Sequence, residues 1–389
     1  MTTIAPGATI GILGGGQLGR MTAMAARTLG YRVHVLDPDA ACAASAVADR
    51  VVAARFDDAD AAADLARHCD VVTLEIEQIG GDALEAARRH APVRPSPELL
   101  HVVRDRSRQK AWLSKGGFPI GDYHDVRTLD ELSRAHTAFG ALFVKACHGG
   151  YDGRSQVRVT AASETGSAWQ SLGGRASVAE RALDLELELS VLVARRPGGE
   201  VRVYPPALNH HEQQVLAWSV LPAPLPSEIT RAAESIARGI ADAFPLEGIL
   251  AVEMFLLRDG TLLVNELAPR PHNSFHETEV ACSTSQFEQL VRAVCDLPLG
   301  DARALRPGAI LNLFGDLWLD GRTPPFEVAL AEPGVRLHLY GKRGARAGRK
   351  MGHLSATGDT AADALDRVRR AGMAVGITLS RDLSPLARH

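Results

Sequence analysis

The sequence predicts an α/β chain: a parallel, doubly wound sheet at the N-terminal end and a larger mixed α+β body behind it. Three observations carry this. Short apolar runs alternate with amphipathic or alanine-rich segments over the first hundred residues. Two strand-like runs joined by Arg258-Asp259-Gly260 form a hairpin far down the chain, and Pro92, Pro95 and Pro97 separate the two regimes. Alternating short strands and helices favour a parallel sheet, because each crossover lays a helix on a sheet face. With 389 residues the chain has room for two or three domains.

Composition excludes several classes before any motif is read. Hydrophobic residues make up 46% and charged residues 23%, which is globular and incompatible with intrinsic disorder. Lys+Arg is 43 against Asp+Glu 46, a net charge of -3, so there is no electrostatic footprint for nucleic acid or a membrane surface. No run approaches the roughly 20 apolar residues that a bilayer span needs. Met1 to Gly7 lacks a basic segment and a cleavage signature. The cysteines Cys42, Cys69, Cys147, Cys282 and Cys295 are odd in number, scattered and without a CxxC pair. They support neither a disulfide framework nor a zinc ribbon. A soluble, cytoplasmic protein is expected.

In chain order, residues 8–13 read as the first strand, running into Gly14-Gly15-Gly16-Gln17-Leu18-Gly19. A helix over 20–29 follows, then a strand over 32–36 that stops at Asp37-Pro38. Strands over 51–54 and 71–74 flank an alanine-rich helix over 58–68, and a first boundary falls near residue 98. Residues 99–116 read as one helix, ended by Gly117-Phe118-Pro119. Strands are expected over 141–145, 156–159, 177–180, 186–194, 200–204, 215–220, 248–257 and 262–267, with helices over 226–244 and 286–294. The remainder offers short strands, a basic loop over 342–350 and an amphipathic helix over 361–371.

Five groups of residues carry candidate chemistry. Gly14-x-Gly16-x-x-Gly19 lets backbone approach an anion at a helix N-terminus, and Asp37, about 20 residues on, is placed to hold a ribose hydroxyl. Taken alone this suggests a dinucleotide fold, although the same loop recurs where no dinucleotide binds. Lys145 ends a strand just before Gly150-Tyr151-Asp152-Gly153-Arg154-Ser155-Gln156. That pairing reads either as triphosphate recognition or as an ordinary hairpin turn, since Asp-Gly favours hairpins. Glu253 sits inside an apolar strand and Asn265-Glu266 ends its partner. Two carboxylates there suit Mg²⁺ with phosphate oxygens completing its shell, against the alternative of structural salt bridges. Arg270, His272, Asn273 and Ser274 lie on a loop stiffened by Pro269 and Pro271, suited to a polar, anionic substrate. Lys342, Arg343, Arg346, Arg349 and Lys350 read either as a phosphate loop or as a solvated basic loop.

The segments GGGQLGRM (Gly14–Met21), Lys145 with GGYDGRSQ (Gly149–Gln156), Glu188-Leu189-Ser190, VNELAPRPHNS (Val264–Ser274), Thr284-Ser285-Gln286-Phe287-Glu288 and GRKMGH (Gly348–His353) occur in order. Together they resemble the N5-carboxyaminoimidazole ribonucleotide synthetase family of the ATP-grasp superfamily, across nearly the whole chain. The resemblance implies a Rossmann-like pre-ATP-grasp domain over 1–98. It implies an ATP-grasp body over 99–300 with a lid near 118–178, and a small C-terminal domain over 301–389. It also implies an ATP-dependent carbon–nitrogen ligase of purine biosynthesis: ATP and bicarbonate give carboxyphosphate, which carboxylates 5-aminoimidazole ribonucleotide (AIR). ATP and Mg²⁺ or Mn²⁺ are the implied cofactors, AIR and bicarbonate the small-molecule partners, and a homodimer the assembly.

Carried over residue by residue, the resemblance implies ATP contacts at Arg106, Lys145, Gly150, Tyr151, Asp152, Gly153, Arg154, Ser155, Gln156, Glu180, Arg181, Ala182, Leu183, Glu188, His211, Asn265 and Glu266. Glu253 and Glu266 would hold the metal. AIR would meet Gly16, Gln17, Leu18, Tyr151, Asp152, Arg154, Arg270, His272, Asn273, Ser274, Lys342 and Arg349, with Arg270, Lys350 and Asp152 in catalytic roles. The chain departs from the family pattern at Cys147, Ser155, Leu208 and Phe275. Competing readings are another ATP-grasp ligase, such as the formate-dependent glycinamide ribonucleotide transformylase, an NAD-dependent oxidoreductase, and a non-catalytic nucleotide-binding regulator.

Overall fold

The computed structural model describes residues 3–149 and 155–378. Their strands form three sheets. The first is parallel, in the order Arg50–Ala53, Arg32–Asp37, Thr9–Leu13, Val71–Leu74. Ile10, Ile12, Val33, Val35, Val71 and Val72 are all fully buried, as expected of strands covered on both faces. The first helix spans Gln17–Thr28, so it begins inside the glycine motif rather than at residue 20. This tight entry depends on Gly19, where a Cβ would lie 2.4 Å from the carbonyl oxygen of Gly14. The helix Gly81–Arg88 was not read from the sequence.

The second sheet is antiparallel: Tyr123–Val126, Ser177–Arg181, Leu142–Ala146, Gln156–Val159. It encloses its own small core, including Val126, Leu132, Leu142, Val144 and Ala179. Sequence reading missed Tyr123–Val126, whose partly exposed residues give no apolar run. It also missed the helix Leu129–Phe139, although Thr128 and Glu131 form a full capping box at its start.

The third sheet is the backbone of the molecule. It runs Leu262–Ala268, Gly248–Leu257, Leu185–Arg195, Ala207–Glu212, Val215–Leu221, Gly308–Phe314, Lys350–Thr357, Arg336–Leu339, and Val201–Val203 adds to the side of Leu185–Arg195. The strands beyond residue 301 therefore continue the sheet of the central body, through the pairing of Gly308–Phe314 with Val215–Leu221. The helix Ser227–Ala243 buries the small face Ala233, Ala237, Ile240 and Ala241, which lets it lie close to the sheet.

One expected helix is two. Residues 99–116 divide into Pro97–Val103 and Arg106–Lys115. Asp105 breaks the run because its carboxylate accepts the backbone N–H of Arg108 and so caps a new helix. The break puts Arg106 at a helix start, where its side chain reaches across to the central sheet.

Gly19→Ala should destabilise the protein by about 1–3 kcal/mol in chemical unfolding, because helix and glycine loop must part to admit a methyl group. A loss within error of zero would show that the contact yields freely.

Candidate nucleotide and carboxylation site

The site is built on an irregularity in the central sheet. Glu253 stands opposite Glu266, but Met254 stands opposite Val264, so Asn265 is an extra, bulged residue. A regular strand turns consecutive side chains to opposite faces; the bulge lets Asn265 and Glu266 both line the same cavity. Glu253 Oε1 lies 3.0 Å from His272 Nε2. Glu253 Oε2 accepts from Asn265 Nδ2 at 3.3 Å, and Glu266 Oε2 accepts from Arg106 at 2.6 Å. Burial pushes the Glu253 carboxyl up, but His272, His211 and Arg270 outweigh it, and the group is held ionised. Two carboxylates facing each other across a strand pair are hard oxygen donors of the kind Mg²⁺ takes together with phosphate and water oxygens.

The cavity has a volume of about 540 Å³ and is lined by residues of the small and central sheets and by segments that follow two strands of the first sheet. In the small sheet, Lys145 donates to Glu180 at 2.7 Å and to Asn265 Oδ1 at 3.3 Å. Lys110, which sequence reading did not single out, meets the other Glu180 oxygen at 3.3 Å. Burial raises Glu180, yet Lys145, Lys110 and Arg106 together carry its pKa down to about 2. Phe143, Leu183, Leu185, Leu216 and Phe255 supply apolar wall nearby, enough to receive a flat heteroaromatic ring. Glu188 and His211 pair at 2.9 Å, and burial of His211 is overcome by that carboxylate, so its pKa rises.

The other end of the cavity comes from the first sheet and the basic loop. Glu77 holds Arg270 at 2.7 Å. Lys342 donates to Gln17 Oε1 and to the carbonyl of Lys350, both at 2.7 Å, and Arg349 is braced by the carbonyls of Arg343 and Gly344. The anion that the glycine motif was expected to receive is part of the chain itself. Glu75 accepts the N–H of Gly16 at 2.6 Å and of Gly19 at 2.7 Å, while Asp37 accepts that of Gly15 at 2.8 Å. Those amides are committed, so the fingerprint does not present them to a dinucleotide pyrophosphate.

Gly16, Gln17, Leu18, Arg106, Lys145, Ser155, Gln156, Glu180, Arg181, Leu183, Glu188, His211, Glu253, Asn265, Glu266, Arg270, His272, Asn273, Lys342, Arg349 and Lys350 all line this one cavity. Ala182 and Ser274 are not among the lining residues. The Ala182 N–H is spent on Ala141, and Ser274 is buried with its carbonyl accepting from Ser219. Gly150, Tyr151, Asp152, Gly153 and Arg154 lie outside the described residues. Of the departures from the family pattern, Cys147, Leu208 and Phe275 are buried in packing, and only Ser155 lines the cavity. Besides Lys110, sequence reading missed Glu75 and Glu77. Their position just past the carboxyl end of the strand Val71–Leu74, where ligands of parallel sheets gather, is the signal that could have found them.

Apolar wall, cationic side chains and paired carboxylates in one cavity suit a nucleoside triphosphate, and the family model matched by the central body makes the class an ATP-grasp ligase. Residues 111–287 match the model of the ATP-grasp domain, 7–104 that of the ribonucleotide synthetase preATP-grasp domain, and 308–367 that of the phosphoribosylaminoimidazole carboxylase C-terminal domain. The N5-carboxyaminoimidazole ribonucleotide synthase of Bacillus subtilis (strain 168) is 41% identical over 90% of this chain and 92% of its own length. That of Brucella melitensis is 41% identical over 91% and 97%. Among solved structures, an ADP complex of N5-carboxyaminoimidazole ribonucleotide synthetase superposes with a TM-score of 0.90 at 39% identity, covering 96% of this chain and 98% of that one. The Aspergillus clavatus enzyme in complex with ADP and 5-aminoimidazole ribonucleotide gives a TM-score of 0.87 at 32% identity, over 95% and 98%. The chain belongs to the N5-carboxyaminoimidazole ribonucleotide synthase family.

Glu180 makes the charge balance testable by pH. Its folded pKa of about 2 is below the ordinary 4.5, so its stabilising contribution is complete above about 4.5 and is lost as pH falls toward 2. The Glu180→Gln variant should be less stable near neutrality, with a smaller drop in melting temperature across that acid window. Parallel melting curves for the two proteins would overturn the assignment.

Proposed function

We propose that the protein carboxylates 5-aminoimidazole ribonucleotide to N5-carboxyaminoimidazole ribonucleotide, using ATP and bicarbonate, in purine biosynthesis. The observation that carries this is the meeting of two charge systems in one cavity. Lys145, Arg106 and the opposed carboxylates Glu253 and Glu266 form one end, and Arg270, Lys342, Arg349 and Lys350 form the other. The first suits a nucleoside triphosphate, the second a phosphorylated, carboxyl-accepting substrate.

Phe143, Leu183 and Leu185 would receive the adenine ring, and Glu188 would hold the ribose. Lys145 and Arg106 offset phosphate charge. Glu253 and Glu266 would hold Mg²⁺ or Mn²⁺, which supplies charge neutralisation at the β- and γ-phosphates. Bicarbonate oxygen attacks the γ-phosphorus as the bond to the ADP oxygen breaks, giving carboxyphosphate. Arg270, kept in place by Glu77, is directed at the negative charge that builds on the transferring group. The exocyclic amine of AIR then attacks the carboxyl carbon. The C–O bond to phosphate breaks, and the amine proton leaves with the phosphate. Lys342, Arg349 and Lys350 hold the substrate phosphate, and a lid over 118–178 would shield carboxyphosphate from water.

The domain divisions near 98 and 300 belong to this proposal, as do a cytoplasmic setting and a homodimer. The free state of the described cysteines fits a reducing compartment.

The test is ADP release with Mg-ATP and bicarbonate, with and without AIR. Strong AIR dependence is expected, with no turnover when formate and glycinamide ribonucleotide replace the two substrates. ADP release indifferent to AIR would overturn the proposal. Glu266→Gln should lower kcat by about 10² or more, with folding retained. Lys350→Met should raise KM for AIR more than KM for ATP, and the reverse pattern would reassign the basic loop.

A further inference from the structure

Beside the nucleotide cavity but not lining it, two histidines and a glutamate converge. His338 and His353 stand directly opposite each other on the paired strands Arg336–Leu339 and Lys350–Thr357, and Glu279 lies on the short helix Thr278–Ala281. One donor atom from each lies within 4.8 Å of the other two, the one such group of metal-capable side chains among the described residues. None of the three lines the nucleotide cavity.

We propose that Glu279, His338 and His353 form a second metal site, for Zn²⁺ or a similar borderline divalent cation, clasping the short helix to the strand pair.

The donor set argues for the cation. Two imidazoles and one carboxylate are the ligands Zn²⁺ takes when a fourth position stays open, whereas Mg²⁺ prefers oxygen alone. His338 Nδ1 is 3.7 Å from Glu279 Oε2, and tetrahedral zinc places its donors about 3.3 Å apart, a difference that side-chain rotation covers. The second layer is already built. The Tyr340 hydroxyl meets His353 Nδ1 at 2.9 Å, which fixes the ring and leaves Nε2 to ligate. The rings of His338 and His276 stack on His353 at 5.2 and 4.8 Å, and His276 Nε2 is buried without a hydrogen-bond partner.

Access is also present: His353 is buried, but the side chains of His338 and Glu279 are 19% and 33% exposed, so a cation can reach them from solvent. Arg20 acts on His338 and Arg336 on Glu279. Two nearby guanidiniums disfavour a cation held by charge alone, so affinity falls to imidazole coordination. The site adjoins the basic loop, because Tyr340 also lies beneath the ammonium of Lys342 at 5.4 Å.

The experiment uses the full chain, stripped with chelator and titrated with Zn²⁺ by calorimetry and with Co²⁺ by visible absorption. Excess Mg²⁺ is kept present throughout to occupy the carboxylates of the nucleotide site. Wild-type protein should bind Zn²⁺ at a single site with micromolar or tighter affinity, and Co²⁺ should give the intense absorption of low coordination. His338→Gln and Glu279→Gln should each weaken Zn²⁺ binding by about 100-fold or more. Both variants should keep wild-type ADP release with Mg²⁺. Two substitutions at partly exposed positions guard against a folding defect in either, checked by metal-free circular dichroism. Absence of wild-type binding, or unchanged affinity in both variants, would overturn the proposal. Loss of AIR-dependent turnover in wild-type protein would bear on the proposed function alone.

Discussion

The cavity holds charges that could not be buried singly. Arg106 faces Glu266, Lys145 and Lys110 share Glu180, His272 faces Glu253, Arg270 faces Glu77 and His211 faces Glu188. An ion left unpaired among the buried Lys145, Lys110 and Glu180 costs several kcal/mol, and water screens the more exposed pairs at Glu266 and Glu188, so the pairs constrain their segments to different degrees. Those segments are far apart in the chain: Glu77 follows the first sheet, Glu180 belongs to the small one, and Glu253 and Glu266 belong to the central one. The relative placement of the three sheets and the shape of the cavity thus rest on one electrostatic requirement.

The glycine loop shows how a familiar local geometry is turned to a different end. A tight strand–helix turn with free amides is an anion site wherever it occurs. Here Glu75 fills it, half-buried with both oxygens engaged, and desolvation raises its pKa despite the two amide bonds. The loop becomes a fixed wall of the cavity, carrying Gln17 to Lys342. The first domain contributes cavity wall at Gly16, Gln17 and Leu18 and a bracing glutamate for Arg270.

Much of the fold was legible because it rests on local signals. The four parallel strands, the hairpin across Arg258-Asp259-Gly260 and the helices at 226–244 and 286–294 each carry an apolar period or a turn that competes with nothing nearby. The failures have local causes as well. Tyr123–Val126 is a partly exposed strand without an apolar run, and Asp105 splits a helix by a side-chain bond that composition does not reveal. Lys110 looks like an ordinary helical lysine until Glu180, 70 positions away in sequence, is brought beside it.

What the sequence by itself determined was the set of chemical groups and their order: the glycine loop, the lysine before the second glycine run, two carboxylates on neighbouring strands, and a stiff loop of Arg, His and Asn. Those follow from residue type and short spacing. Only the tertiary structure decided which of them face one another. Asn265 and Glu266 share a face because a bulge breaks the strand period, and Glu75 rather than a ligand fills the glycine loop because a neighbouring parallel strand delivers it there. Both outcomes depend on register between distant segments. A one-residue shift would turn those side chains to the opposite face, and nothing within a single segment records that choice.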